Sequence, residues 1–105
     1  MSTDKDFVDY IVEQADFGAA LTYRKMFGEY ALYLDEKVVG FACDNSFFLK
    51  PSKATLPELE AVPLRPPYPG AKNYPVIDEF LDDPDLLRRV LRMTEQALPL
   101  SKKKT

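Results

Sequence analysis

The feature that most constrains the fold is residues 25–50, where large apolar side chains recur at every second position. The alternation occurs in two runs, the first made of Tyr30, Leu32 and Leu34 and the second of Val39, Phe41 and Cys43. Side chains two residues apart on a strand share one face of a sheet. The pattern therefore predicts a β-hairpin with one large apolar face. A turn at residues 44–46 then leads into a further strand, which Pro51 ends because proline has no N–H to donate.

The turn of this hairpin decides which residues pair. A two-residue loop at Asp35-Glu36 would place Leu34 opposite Lys37. The later pairs would be Leu32 with Val39, Tyr30 with Phe41, Tyr33 with Val38 and Ala31 with Gly40. Glu36 would need a positive φ in the type I′ turn that such a loop requires, so a longer loop or a slipped register stays open.

A helix and a strand are predicted before the hairpin. Residues 3–16 have apolar side chains three and four positions apart, namely Phe7, Val8, Ile11, Val12 and Ala15, which is the pattern of an amphipathic helix. Ser2 or Thr3 is expected to cap its start, and Gly18 to supply the left-handed residue at its end. Residues 20–26 are rich in strand formers and are expected to pair antiparallel with residues 29–35.

A second helix has the clearest local signal in the chain. Asp83 is a typical N-cap residue, and Pro84 suits the first helical position because its missing N–H would have no partner there. The helix is predicted to run to about Leu98. Its apolar stripe comprises Leu86, Leu87, Val90, Leu91, Thr94, Ala97 and Leu98.

Seven of the nine prolines lie between Pro51 and Pro75, which predicts an extended connection. Residues 52–61 can form a short helix, and a single turn beginning at Pro57 is the alternative. Four large residues are expected to pin the connection to the body: Leu64, Tyr68, Tyr74 and Val76. Residues 74–78 can add a short edge strand. An exposed proline-rich ligand for another domain is the less favoured interpretation.

Composition restricts the function. The 105 residues predict one domain over residues 1–100 and a disordered basic tail over residues 101–105. Neither a membrane-spanning run nor a signal peptide is apparent, which indicates a cytoplasmic protein with no membrane role. Histidine is absent and Cys43 is the sole cysteine, so we expect no transition metal, no cofactor and no catalytic residue.

Charge argues against direct binding to nucleic acid. The formal net charge is −3, and three of the fourteen basic residues are tail lysines, which leaves eleven basic against seventeen acidic side chains in the body. Such a balance lacks the basic footprint of an autonomous nucleic-acid binder. Arg24-Lys25 beside Tyr23 is accordingly interpreted as an outward strand face.

Three other groups of residues are assigned structural roles. The acidic set Asp78, Glu79, Asp82, Asp83 and Asp85 matches no EF-hand loop and is explained by helix capping and the helix dipole. The arginines Arg88, Arg89 and Arg92 are interpreted as a solvated helix face, with Asp85 pairing with Arg89 and Glu95 with Arg92. Cys43 is interpreted as a core thiol, since there is no histidine to activate it.

Three segments carry a resemblance to a known family. They are residues 24–35 (RKMFGEYALYLD), residues 47–50 (FFLK) and residues 81–84 (LDDP). Together they resemble the N-terminal domain of the TfoX (Sxy) family over nearly the whole chain. The sequence departs from the family pattern at Glu29 and Ala31, where glycine is usual, and at Glu36, where Asp-Gly is usual.

The resemblance implies an α+β, two-layer fold, in which an antiparallel sheet of about four to five strands carries N-terminal and C-terminal helices, as in secretion chaperones. Family members with a further helical domain are bacterial regulators of DNA-uptake competence that are thought to work with a transcription activator. We therefore expect a non-catalytic regulatory domain that binds a protein partner, such as a transcription factor, or forms a homodimer. The alternative is a small-ligand binder or enzyme with a cleft between the proline-rich segment and the sheet, where Tyr68 and Tyr74 would supply polar groups.

Overall fold

The computed structural model describes residues 3–26, 28–53 and 56–99, in which two helices pack on one face of an antiparallel sheet. The helices are α1 (Lys5–Ala15) and α2 (Pro84–Ala97), and the strands are β1 (Leu21–Met26), β2 (Glu29–Leu34), β3 (Lys37–Cys43), β4 (Ser46–Leu49), β5 (Leu64–Arg65) and β6 (Tyr74–Pro75). The main sheet has the order β1-β2-β3-β4, while β5 pairs with β6 in a separate small sheet. The predicted α+β class is confirmed. The predicted tail at residues 101–105 and a cap by Ser2 lie outside the described residues.

The turns that join β2 to β3 and β3 to β4 are each two residues long, with left-handed backbone. Asp35 and Glu36 have φ angles of 51° and 73°, and Asp44 and Asn45 have 53° and 58°. Positive φ at both central residues is the geometry of a type I′ turn, whose twist matches that of the strands it joins. Glu36 thus adopts the conformation that its side chain disfavours, and the longer loop is not formed.

A β-bulge changes the register of this hairpin. Leu34 faces Lys37 and Tyr33 faces Val38 as predicted, but beyond the bulge the pairs are Leu32 with Gly40, Ala31 with Phe41 and Tyr30 with Ala42. The other predicted pairs are therefore wrong. An extra residue in β3 exchanges the faces of every later side chain, because strand periodicity is two. Phe41 and Cys43 consequently lie on the face opposite to Val39.

We call the face of the main sheet that contacts the helices the inner face, and the other the outer face. The inner face contributes Leu21, Tyr30, Leu32, Leu34, Val39, Ala42, Phe47 and Leu49 to one buried core. Gly40 lies within this packing. A Cβ atom there would stand 2.6 Å from the carbonyl oxygen of Phe48 and 2.7 Å from the ring of Phe47, so the position has no room for a side chain.

Helix α1 buries Val8, Ile11 and Ala15 in the core, as its stripe predicted. Its ends differ from the prediction. The N-cap residue is Asp4, without a side-chain cap, and the C-cap is Asp16 in the left-handed conformation rather than Gly18. The Thr3 hydroxyl is used elsewhere, within reach of a Glu29 carboxylate oxygen at 2.6 Å.

Helix α2 begins as predicted. The N–H of Leu86 donates to Asp83 Oδ1 at 3.2 Å, and Pro84 occupies the first helical position. The side chains buried by this helix are Leu87, Val90, Leu91 and Thr94. Thr94 Oγ1 is buried and has no hydrogen-bond partner among the described residues.

Each helix is closed at its C-terminus by a cation from elsewhere in the chain. Arg88 of α2 donates to the carbonyl oxygen of Ala15 at 2.7 Å, at the end of α1. Lys37 of β3 donates to the carbonyl oxygens of Glu95 and Leu98 at the end of α2. Cations at these positions satisfy carbonyl groups that have no partner within the helix and oppose the negative end of its dipole.

The proline-rich segment crosses the edge of β4. Its described residues contain one 3-10 turn, at Pro57–Ala61, which is the second of the two predicted alternatives. Val76 forms a bridge with Phe48, and the N–H of Ile77 donates to the carbonyl oxygen of Phe47 at 2.9 Å. This segment therefore covers the β4 edge of the main sheet.

Two of the four residues predicted to anchor this segment are confirmed as anchors. Val76 is buried and Tyr74 is half-buried, whereas Leu64 is 60% exposed and Tyr68 is 55% exposed. The prediction is wrong for Leu64 because β5 pairs only with β6, which stands between it and the main sheet. In the described part of the chain neither helix is long and apolar enough to cross a bilayer.

Candidate functional site

The outer face is covered by the proline-rich segment over only part of its area. Cys43 and Phe48 form a small buried cluster with Val76, against which Phe41 and Tyr74 pack. The rings of Phe41 and Tyr74 lie 5.8 Å apart, centroid to centroid. This cover ends before it reaches the end of β1, where the side chain of Met26 is 40% exposed.

A pocket of about 450 Å³ lies where the cover ends. We call it the outer pocket, and it is lined by Met26, Glu29, Tyr30, Phe41, Cys43 and Tyr68. The ends of β1, β2 and β3 supply most of this lining, and Tyr68 reaches it from the proline-rich segment. The bulge at Gly40 is essential to the arrangement, since without it Phe41 and Cys43 would point toward the helices.

Glu29 is held in place by hydrogen bonds. Its Oε1 atom lies 2.6 Å from the hydroxyl of Thr3 and accepts from the N–H of Asp44 at 3.0 Å. The Thr3 hydroxyl in turn accepts from the N–H of Asn45 at 3.2 Å. These contacts fix the carboxylate at the pocket, so its charge has a defined position.

Cys43 is a protonated thiol in this site. Burial, together with the negative charges of Glu29 and Asp44, raises the pKa of Cys43 to about 11. A thiol reacts as a nucleophile only when ionised. The site thus presents an apolar sulfur atom at neutral pH, in agreement with the structural interpretation of this cysteine.

The two tyrosines proposed for a cleft both line a depression beside Pro51 and Ala71, and Tyr68 also lines the outer pocket. Burial raises the pKa of Tyr74 above its ordinary value, and Tyr68 adds to the effect. Sequence reasoning missed Met26, Glu29, Phe41 and Cys43 as pocket residues, because only the bulge brings the last two to the outer face.

The main sheet has one open edge. The N–H of Asp35 donates to the carbonyl oxygen of Ala20 at 2.9 Å, and hydrogen-bonded pairs alternate along an antiparallel ladder. Tyr23 and Lys25 therefore direct their backbone N–H and C=O groups away from β2. No segment within residues 3–26, 28–53 and 56–99 pairs with this side of β1, whose Arg24 and Lys25 are exposed.

Three members of the predicted acidic set have roles in the fold. Asp83 caps α2, Asp78 accepts from the N–H of Phe47 at 2.7 Å, and Asp82 accepts from the hydroxyl of Tyr10 at 2.6 Å. This last bond raises the pKa of Tyr10. Among the described residues, no cluster of three histidine, cysteine or acidic side chains is arranged to hold a metal ion.

The arginines of α2 are more engaged than predicted. Arg92 pairs with Glu95 at 2.9 Å, as expected, and also with Asp35 at 2.6 Å. Arg89 pairs with Glu58 at 3.8 Å instead of with Asp85. The guanidinium of Arg88 lies 4.7 Å from the ring centroid of Phe17 and closes α1. These contacts join separate elements, so the face is structural rather than merely solvated.

Comparison with known proteins gives two matches. The sequence model of a family described as the TfoX N-terminal domain matches residues 13–98. A protein of Spirochaeta aurantia, described as an uncharacterized 12.7 kDa protein in the trpE 5' region, is 44% identical over 102 residues. That alignment covers 97% of this chain and 89% of the relative.

Proposed function

The chain belongs to the TfoX N-terminal domain family, and on this premise we propose that it is a non-catalytic regulatory domain that binds a protein partner. The observation that carries the proposal is the open edge of β1. An unpaired edge presents a row of N–H and C=O groups to which an extended segment of another protein can add. The opposite edge, at β4, is covered by the bridge of Val76 with Phe48, so strand addition is directed to β1.

The side chains of β1 favour an acidic partner strand. Arg24 and Lys25 are exposed beside the open edge, and Met26 adds an exposed apolar side chain at its end. Opposite charges on neighbouring strands stabilise their pairing. We propose a cytoplasmic protein, of which a transcription factor is the candidate that the family implies, as the source of this strand. A second copy of the chain is the other candidate.

A proline substitution at the edge tests this mode of binding. Lys25→Pro removes an outward N–H without removing a hydrogen bond to β2, and proline is tolerated on edge strands. Lys25→Ala is the matched control, since it removes the same charge and keeps the N–H. The wild-type domain and both variants would be immobilised, and proteins retained from a bacterial lysate compared by mass spectrometry.

We expect a partner that wild type and Lys25→Ala retain and Lys25→Pro loses. Equal retention by all three would exclude the β1 edge, and the lack of any stoichiometric partner would contradict the proposed function. Sedimentation velocity of the same three proteins tests whether the partner is a second copy of the chain. If the chain self-associates through β1, Lys25→Pro alone will be monomeric.

Direct binding to DNA is not part of this function. Affinity for duplex DNA comes from phosphate neutralisation, and the body has eleven basic against seventeen acidic side chains. Arg88, Arg89 and Arg92 are also engaged within the fold. We expect no binding to a labelled random duplex in fluorescence anisotropy at about 0.15 M salt. A complex with a Kd of about 1 µM that survives removal of residues 101–105 would contradict this prediction.

A further inference from the structure

The outer pocket has the size and lining of a small-molecule site. Its volume of about 450 Å³ lies within the range typical of such sites, roughly 300–1,000 Å³. Its lining includes the aromatic residues Phe41 and Tyr68 together with the sulfur-containing Met26 and Cys43, whereas the Tyr30 side chain belongs to the inner face. A ligand that fills it would therefore bury an apolar body.

The charge of the pocket is negative. Among the described residues that line it, Glu29 alone has a charged side chain. Its Oε1 atom lies within hydrogen-bonding distance of the Thr3 hydroxyl and accepts from the Asp44 N–H, and no described residue donates to Oε2. The negative charge reaches into the pocket, because it contributes to the raised pKa of Cys43.

We propose that the outer pocket binds a small organic cation, an amine or a quaternary ammonium group carried on an apolar body. A fixed carboxylate and aromatic residues both attract positive charge, the first by direct attraction and the second through the negative faces of their rings. An anionic ligand would meet the opposite field. The exposed position of Tyr68 leaves the mouth of the pocket open to entry.

A series of three matched probes tests the sign of the charge. We would titrate 3-phenylpropylamine, 3-phenylpropanol and 3-phenylpropionate into the 15N-labelled chain and follow amide shifts by NMR. These probes share one apolar body and differ in charge. We expect the amine to bind with a Kd of about 1 mM or tighter, with shifts at Met26, Glu29, Cys43 and Tyr68. The alcohol should bind more weakly and the carboxylate most weakly.

Two variants locate the effect. Glu29→Gln keeps an acceptor for Thr3 and Asp44 but removes the charge, so the amine should lose roughly fivefold in affinity and most of its advantage over the alcohol. Tyr68→Ala should weaken all three probes. Leu64→Ala, on the same segment and equally exposed, is its control and should bind as wild type does. The amide spectrum of each variant shows whether it is folded.

Three results would overturn the proposal: no saturable shift with any probe, shifts that map away from the pocket, or a carboxylate that binds as tightly as the amine. If Glu29→Gln fails to fold, the comparison of Tyr68→Ala with Leu64→Ala still decides the location. The proposal does not depend on binding of a protein at β1. Lys25→Pro should bind the amine like wild type, so each idea can fail without the other.

Discussion

The inner and outer faces of the main sheet are built from the same strands but are covered by different means. Two amphipathic helices bury the inner face, where Leu32, Leu34 and Phe47 are fully enclosed. The outer face receives a short proline-rich segment, which encloses Phe48 and Val76 but leaves Tyr68 exposed. Helices supply a continuous apolar surface, whereas an extended segment covers a strip. The difference leaves room for the outer pocket beside the strip that the segment covers.

Phe47 and Phe48 allow the sharpest test of this comparison, because they are neighbours in β4 with side chains on opposite faces. We expect Phe47→Ala to lower the free energy of unfolding by about 4 kcal/mol and Phe48→Ala by about 2 kcal/mol. A cavity beside packed helices cannot close, while the segment over Phe48 can move inward. Urea denaturation measures both values, and an equal or larger loss for Phe48→Ala would contradict the comparison.

Gly40 lies at the bulge that determines which side chains of β3 point to the inner face and which to the outer face. We expect Gly40→Ala to cost about 2 kcal/mol, since the added methyl group meets Phe48 backbone and the Phe47 ring. Gly18→Ala is the matched control. It has a positive φ but open space around it, so its cost should be only about 1 kcal/mol. If the control costs as much as Gly40→Ala in urea denaturation, close packing is not what requires glycine in the bulge.

Substitutions at the start of α2 affect the helices that cover the inner face and leave the outer face unchanged. Asp83→Ala removes the acceptor of the Leu86 N–H and should lower stability by about 1 kcal/mol. Asp85→Ala, in the same first turn, loses only an interaction with the dipole, about 0.3 kcal/mol. Thermal unfolding followed by circular dichroism distinguishes the two. An unchanged midpoint for Asp83→Ala would show that the hydrogen bond contributes nothing.

Thr94 and Thr22 give the smallest expected difference between the faces. Thr94→Val replaces a buried hydroxyl that has no partner among the described residues and should raise stability by up to about 1 kcal/mol. Thr22→Val lies on the exposed strand β1 and should change stability by less than about 0.5 kcal/mol. A loss of stability in Thr94→Val under urea denaturation would indicate that the hydroxyl has a partner in solution.

The parts of the fold that could be predicted are those with local causes. Asp83 and Pro84 mark the start of α2 because one can cap a helix and the other suits its first position. The apolar stripe of α1 follows from the spacing of its apolar residues. The faces of β3 could not be predicted past Val39, because the bulge there changes the register and the close approach of Gly40 to Phe47 and Phe48 is a contact with another strand. The outer pocket requires that bulge together with the position of Tyr68, so no local pattern in the sequence announces it.

The closure of α1 by α2 also has a consequence for folding during synthesis. Arg88 caps α1 from 72 and 73 residues further along the chain, and Gln14 reaches the carbonyl oxygen of Leu81 across 67 residues. At about 5–20 residues per second, the apolar stripe of α1 leaves the ribosome roughly 4 to 15 seconds before the helix that covers it. Val8 and Ile11 lack the packing that α2 provides throughout that interval, and contacts of such long sequence separation slow folding.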